Sequence, residues 1–167
     1  MTGKKSLIIC QSIHHENTLK IAQVMAEVLN AAIKKPNEVK PETIKAYNLI
    51  GLGSGIYWGK HHQSILKMAE KFPEVKNLNV YIFSTTGVSN KGNFMHNVRY
   101  GVSHFHAFLR RILNQKGTTI IDEFNCPGFD TAGPYKLIGG ISKGHPDKYD
   151  FKKARQFAQK IKAKFNS

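Results

Sequence analysis

The chain has 167 residues, 41% apolar and 22% charged, about one domain's worth of sequence: long enough to bury a core and too apolar for disorder. No apolar run is long enough to cross a bilayer, so no membrane span is expected. Lys and Arg number 25 against 11 Asp and Glu, a formal charge of +14 that draws acidic partners but says little about fold.

Along the chain, Ser6–Cys10 is the first run of strand length. After Met1–Lys5 only four apolar residues precede Gln11, too few for a signal-peptide core, so a cytoplasmic protein is expected. Ile21, Val24, Met25, Val28, Leu29 and Ala32 follow at helical spacing. A short, polar strand is placed near Glu38-Val39-Lys40, between Pro36 and Pro41. Tyr47–Gly53 is the next strand, and Ile65, Leu66, Ala69 and Phe72 form a helical stripe that Pro73 ends. Asn79–Ser84 and Thr118–Asp122 are two more strands. Between them Phe105, Phe108, Leu109, Ile112 and Leu113 form a helix closed by Gly117. Ala154, Phe157, Ala158, Ile161 and Phe165 make the last helix, with Asp150 as its expected N-cap. The strands are continuously apolar and alternate with helices. That pattern predicts an open parallel sheet covered on both faces, in a single domain over residues 1–167.

Ligands of such sheets bind beyond the carboxyl ends of the strands, so the loops there carry the functional signal. Ser12-Ile-His-His-Glu-Asn-Thr18 clusters hydroxyls, imidazoles and an amide at a helix N-terminus, where free N–H groups and the dipole favour a phosphate. It holds neither a dinucleotide fingerprint nor a P-loop, and simple capping by Asn17 or Thr18 is the alternative. Gly53-Ser-Gly-Ile-Tyr-Trp-Gly59 offers close backbone approach and two rings, suited either to rim packing or to stacking a flat heteroaromatic ligand on Tyr57 or Trp58. The third loop starts Ser84-Thr-Thr-Gly87 and runs through Asn90 to about Tyr100; its length suits either a functional loop or a surface excursion. Together the three describe a mononucleotide with a planar ring.

On these residues the chain, over about residues 6–165, resembles the flavodoxin-like proteins that bind flavin mononucleotide (FMN). Ser12, Asn17 and Thr18 match the ends of their phosphate loop, usually Ser/Thr-x-Thr-Gly-Asn-Thr. His14-His15-Glu16 replaces the Thr-Gly and lengthens the loop by one residue. Tyr47–His62 resembles the family stretch whose Gly-Ser-x-Ile-Tyr-aromatic-Gly loop covers one flavin face, and Ser84–Gly87 resembles the loop facing the other. His106-x-x-Leu-Arg110, Gly128-Phe-Asp-Thr131, Gly139-Gly140 and Lys143-Gly-His-Pro146 are similar to one subgroup of the family.

The resemblance implies a doubly wound α/β fold, a five-stranded parallel sheet in the order 2-1-3-4-5. It implies FMN held at the phosphate by Ser12, Asn17 and Thr18; His14, His15 and Glu16, which depart from the family loop, are counted with them as cofactor-binding, with His14 or His15 adding a charge-assisted bond. The ring would meet Ser54, Gly55, Ile56, Tyr57, Trp58 and Gly59, with Ser84, Thr85, Thr86 and Gly87 near its pyrimidine edge. The implied function is electron transfer between redox partner proteins. Flavodoxins are commonly acidic, so this basic variant is expected to have acidic partners and a less negative potential for its last one-electron step. The alternative is an FMN-dependent NAD(P)H or quinone oxidoreductase, with its second substrate under the Val88–Tyr100 loop. A third class is a binding protein that has lost its flavin.

Other residues weigh less. His14-His15 and His61-His62 are adjacent, so their side chains diverge, and no His/Cys spacing suggests a metal. Cys10 and Cys126 lie far apart without Cys-x-x-Cys, and Cys126 lacks a nearby base signal; it is expected to be structural. Asp130 suits either a flavin-side hydroxyl or a turn cap. The last helix carries Lys152, Lys153, Arg155, Lys160, Lys162 and Lys164, read first as a solvated face and second as a dock for an acidic partner. Nucleic acid is not expected, as no motif for it appears.

Overall fold

The computed structural model describes residues 5–87 and 102–166. Six strands form one sheet: β1 (Ser6–Gln11), β2 (Ala32–Lys34), β3 (Leu49–Tyr57), β4 (Lys60–His61), β5 (Asn79–Thr86) and β6 (Thr119–Pro127). The parallel strands run in the order β2-β1-β3-β5-β6, and β4 is a two-residue hairpin arm antiparallel to β3. With that arm set aside, the expected order 2-1-3-4-5 holds. The helices are α1 (Asn17–Leu29), α2 (Gln63–Glu70), α3 (Val102–Gln115) and α4 (Lys148–Asn166).

The strands read as unbroken apolar runs because both faces are covered. On one face Leu7, Ile9, Ile50, Leu52, Val80 and Ile82 pack against α2 and α3. On the other, Ile8, Cys10, Tyr81 and Phe83 pack against α1 and α4. Each such side chain contributes about 1.5–3 kcal/mol through burial.

Several boundaries differ from the sequence expectation. Asn30 adopts a left-handed conformation (φ 49°) that stops α1 at Leu29, so Ala32 belongs to edge strand β2 rather than to the helix. The strand expected at Glu38–Lys40 is absent; Pro36–Glu38 is a short helical turn in which Glu38 Oε2 accepts from the Lys35 N–H at 2.8 Å. The last helix starts at Lys148, and its cap is Asp147 rather than Asp150. Asp147 Oδ1 accepts from the N–H groups of Tyr149 and Asp150, while Asp150 Oδ2 accepts from that of Asp147. Strands β3 and β5 also run on into segments expected as loops, because Gly55 pairs with Thr85 and Tyr57 with Lys60. The loop expected from Val88 to about Tyr100 lies outside the described residues.

Glycines set the spacing of β3 against β5. A Cβ built on Gly51 would collide with the Tyr81 ring, and one on Gly53 with the Phe83 ring. Those rings lie flat across the strand where no side chain stands. Gly53→Ala should therefore lower stability by about 1–3 kcal/mol in urea unfolding, and adding Phe83→Leu should recover part of that loss. An unchanged midpoint in the single variant would contradict the packing described.

Candidate functional site

A cleft of about 720 Å³ opens where β1, β3, β5 and β6 end. It lies at the switch point, since the chain runs outward from β1 to β2 and then crosses back past β1 to β3.

Its first wall is the residue 12–18 turn and the start of α1. No side chain caps this helix, and the residue before it, Glu16, is left-handed (φ 56°), as is His15 (φ 53°). Two consecutive non-glycine residues in that region cost about 1–3 kcal/mol each. Asn17 and Thr18 do not cap either. The Asn17 amide donates to the Phe129 carbonyl at 2.7 Å, and the Thr18 and Thr85 hydroxyls meet at 2.8 Å. The opening N–H groups of α1 thus face the cleft without a side-chain cap. The imidazoles diverge: His14 sits at the rim, 6.0 Å from the Tyr57 ring, whereas His15 stacks on Phe129 at 4.4 Å and meets Thr131 Oγ1 at 2.9 Å. His15 and Glu16 do not line the cleft; His15 ties the first wall to the third.

The second wall is the β3–β4 turn. Trp58 (φ 52°) and Gly59 (φ 78°) form a two-residue turn with both central residues left-handed, the geometry that suits strand twist. The turn holds the Trp58 ring 98% exposed, while Tyr57 is half-buried between His14 and His62. Thr85, Thr86 and Gly87 complete the floor.

The third wall is residues 128–135, of which the sequence offered Gly128–Thr131 as a family-like stretch and Asp130 as either a flavin-side contact or a turn cap. It arrives because the Gly128 N–H donates to the Thr86 carbonyl and Ser142 Oγ to the Gly87 carbonyl, folding the segment over the end of β5. Asp130 does cap a turn, accepting from the Ala132 N–H at 2.7 Å, yet it also lines the cleft against Gly87. Burial, then the Asp130 charge, pushes the Tyr57 hydroxyl above its ordinary pKa. Phe105 and His104, from the first turn of α3, close the remaining side.

Ser54 and Ser84 were expected at the ligand; both are fully buried and point away, because side chains alternate along a strand. Ser54 Oγ donates to the Gly55 carbonyl and accepts from the His62 N–H, and His61 Nδ1 lies 3.0 Å away. Ser84 Oγ meets His106 Nε2 at 2.7 Å, and His106 Nδ1 meets Glu123 Oε2 at 2.9 Å. Arg110 grips the same carboxylate with two N–H groups, at 2.7 and 2.8 Å. Burial raises the Glu123 pKa, but hydrogen bonds from His106 and Arg110 outweigh it and hold the carboxyl at about 2. Burial lowers both imidazoles, with the Glu123 hydrogen bond partly countering it at His106.

The remaining candidates resolve structurally. His62 caps α2 by accepting from Ser64. Burial pushes the Cys10 thiol up to about 12 and Cys126 higher still, leaving neither a nucleophile at neutral pH. On α4, Arg155 pairs with Glu27, Lys160 and Lys164 with Asp122, and Lys162 donates to the Val28 carbonyl, so much of that basic face ties the helix to α1 and β6. Among the described residues no helix is long and apolar enough to cross a membrane.

A family model described as flavodoxin domain matches residues 8–122. The chain belongs to that family. An uncharacterized protein of Methanocaldococcus jannaschii is 46% identical over 157 residues, covering 94% of this chain and 97% of the relative. Oxidised flavodoxin 2 from Bacillus cereus superposes with a TM-score of 0.68 at 16% identity, covering 96% of this chain and 99% of that one. Fusobacterium nucleatum flavodoxin bound to flavin mononucleotide gives 0.64 at 13% identity, with the same coverage. At such identities the two structures speak for the fold.

Acid should destabilise the protein in two steps. The unfolded chain protonates His106 near 6.5 and Glu123 near 4.5, whereas the folded chain resists both. Their stabilisation is present above those values and is lost as pH falls. Glu123→Gln should cost about 2–3 kcal/mol at neutral pH and flatten the lower step in urea midpoints measured against pH. An unaltered acid profile in that variant would contradict the assignment.

Proposed function

We propose that this flavodoxin-family protein binds FMN in the cleft and passes electrons between redox partner proteins. One observation carries the reading: two chemically distinct walls and a polar floor meet in one space. An uncapped helix N-terminus suits a phosphate dianion, an aromatic turn suits a planar ring, and the threonine and backbone groups of Thr85–Gly87 suit its polar edge. The structural neighbour that carries flavin mononucleotide supports the same choice of ligand. Bound FMN would supply the redox chemistry.

The chain supplies the rest. Ser12 and the first N–H groups of α1 hold the phosphate, His14 stands at its rim, and Tyr57 with Trp58 covers the ring. Gly55, Ile56 and Gly59 let backbone come close. Among the described residues the cleft is lined by no Lys or Arg and by one carboxylate, Asp130, so the +14 surface acts at long range, steering acidic partners in a salt-dependent way.

The oxidoreductase reading draws on His104, whose imidazole lies beside the Trp58–Gly59 turn and could donate a proton to a second substrate. NAD(P)H oxidation by the FMN-loaded protein with a quinone acceptor separates the two readings.

Purified protein should take up FMN with a shifted flavin absorption band. Trp58→Ala should leave folding within about 0.5 kcal/mol and weaken FMN roughly tenfold, the value of one stacked ring. A spectrum of free flavin at all concentrations would overturn the proposal.

His14 gives a second test. His14→Gln should weaken FMN binding, because an imidazole at the rim adds a hydrogen bond to the phosphate, and His15→Gln should not. Equal FMN affinity in the parent and His14→Gln would dismiss the role.

A further inference from the structure

Beneath the cleft floor lies a polar column that FMN binding does not use. His106 is fully buried, yet both ring nitrogens are engaged. An ionised carboxylate only accepts, so the ring proton sits on Nδ1 toward Glu123, and the Ser84 hydroxyl donates to Nε2. The Ser84 oxygen accepts in turn from Asn125 Nδ2 at 2.8 Å.

Burial opposes a second proton on His106, Glu123 on β6 favours one, and Arg110 on α3 opposes it. His61 on β4 packs its ring 4.8 Å away. Ser54 has one hydroxyl proton, given to the Gly55 carbonyl, so His61 donates from Nδ1 and keeps a lone pair on Nε2. That Nε2 is buried and, among the described residues, has no hydrogen-bond partner, leaving a lone pair beside the His106 ring. Ser54 on β3, Ser84 on β5 and Asn125 on β6 are neutral.

The column is one residue from the cleft on each side. Ser54 precedes Gly55, Ser84 precedes Thr85, and His106 follows Phe105; Gly55, Thr85 and Phe105 all line the cleft. A charge created there meets His106 through protein rather than bulk water, where screening is weak.

We propose that His106 is a redox-linked proton site: as FMN in the cleft gains an electron, His106 takes a proton on Nε2. This rests on the FMN reading above. The electron comes from an external donor and the proton from solvent. No bond between heavy atoms changes, and Ser84 turns from donor to acceptor toward the ring. His106 touches no cofactor, so it is a positioning residue for charge. A merely structural column would bind its proton alike in both redox states.

The test uses FMN-loaded full chain with labelled histidine. In nitrogen NMR, the His106 ring should titrate roughly one pH unit or more higher after dithionite reduction than before. The midpoint potential should fall with rising pH across that interval, and His106→Gln, which hydrogen-bonds but does not titrate, should lose that part of the slope. A ring that titrates identically in both states, or the same potential–pH profile in parent and variant, overturns the inference alone. A chain that takes up no FMN overturns the cofactor reading and the inference together. The NMR arm needs no variant, so misfolding of His106→Gln leaves the inference testable.

Discussion

The register between β3 and β5 is the constraint from which the site follows. Gly51 and Gly53 lie opposite Tyr81 and Phe83, Ser54 opposite Ser84, and Gly55 opposite Thr85. The glycines admit the rings, the rings hold the strands in step, and the two C-terminal ends finish level at the switch point. Because strand side chains alternate, a slip of one residue would turn Ser84 toward α1 and Thr85 toward the histidine column. One pairing thus sorts the polar residues of two strands into a cleft floor and a buried layer beneath it.

The layered fold was legible because its signal is periodic. Continuous apolar strands spaced by helical stripes admit few topologies. What escaped was local and depended on tertiary contact. Nothing in Ala32-Ile-Lys34 marks an edge strand until Asn30 turns the chain beside β1. Likewise Gly53–Tyr57 has loop-like composition, yet partners on both sides keep it extended. At the site, position was legible and direction was not. The rule that ligands bind past strand ends located the turn at residues 12–18 and the Tyr57–Trp58 pair. Whether Ser54 or Ser84 faces a ligand depends on the pleat, and the direction of His15 depends on a partner far along the chain, Thr131. How the third wall reaches the cleft was not legible, because Gly128 meets Thr86 and Ser142 meets Gly87 through hydrogen bonds between residues far apart in the chain.

Charge separates by scale. The surface is strongly basic, but the described cleft is lined by uncharged N–H groups, hydroxyls, two imidazoles and one carboxylate. Exposed lysines act over a Debye length and fade with salt, whereas Asp130 and the helix end act at contact distance. The long-range field of the surface and the local charge of the cleft therefore come from different residues.

The Trp58 side chain is the chain's single tryptophan, held in water at the lip of the cleft by a turn that buries none of it. Its emission is therefore that of an indole in bulk solvent, and it is sensitive to anything that arrives within a few ångströms. A flavin or a docking protein there would quench or blue-shift it with no contribution from other indoles. The fold carries its own optical gauge at the one place where occupancy matters.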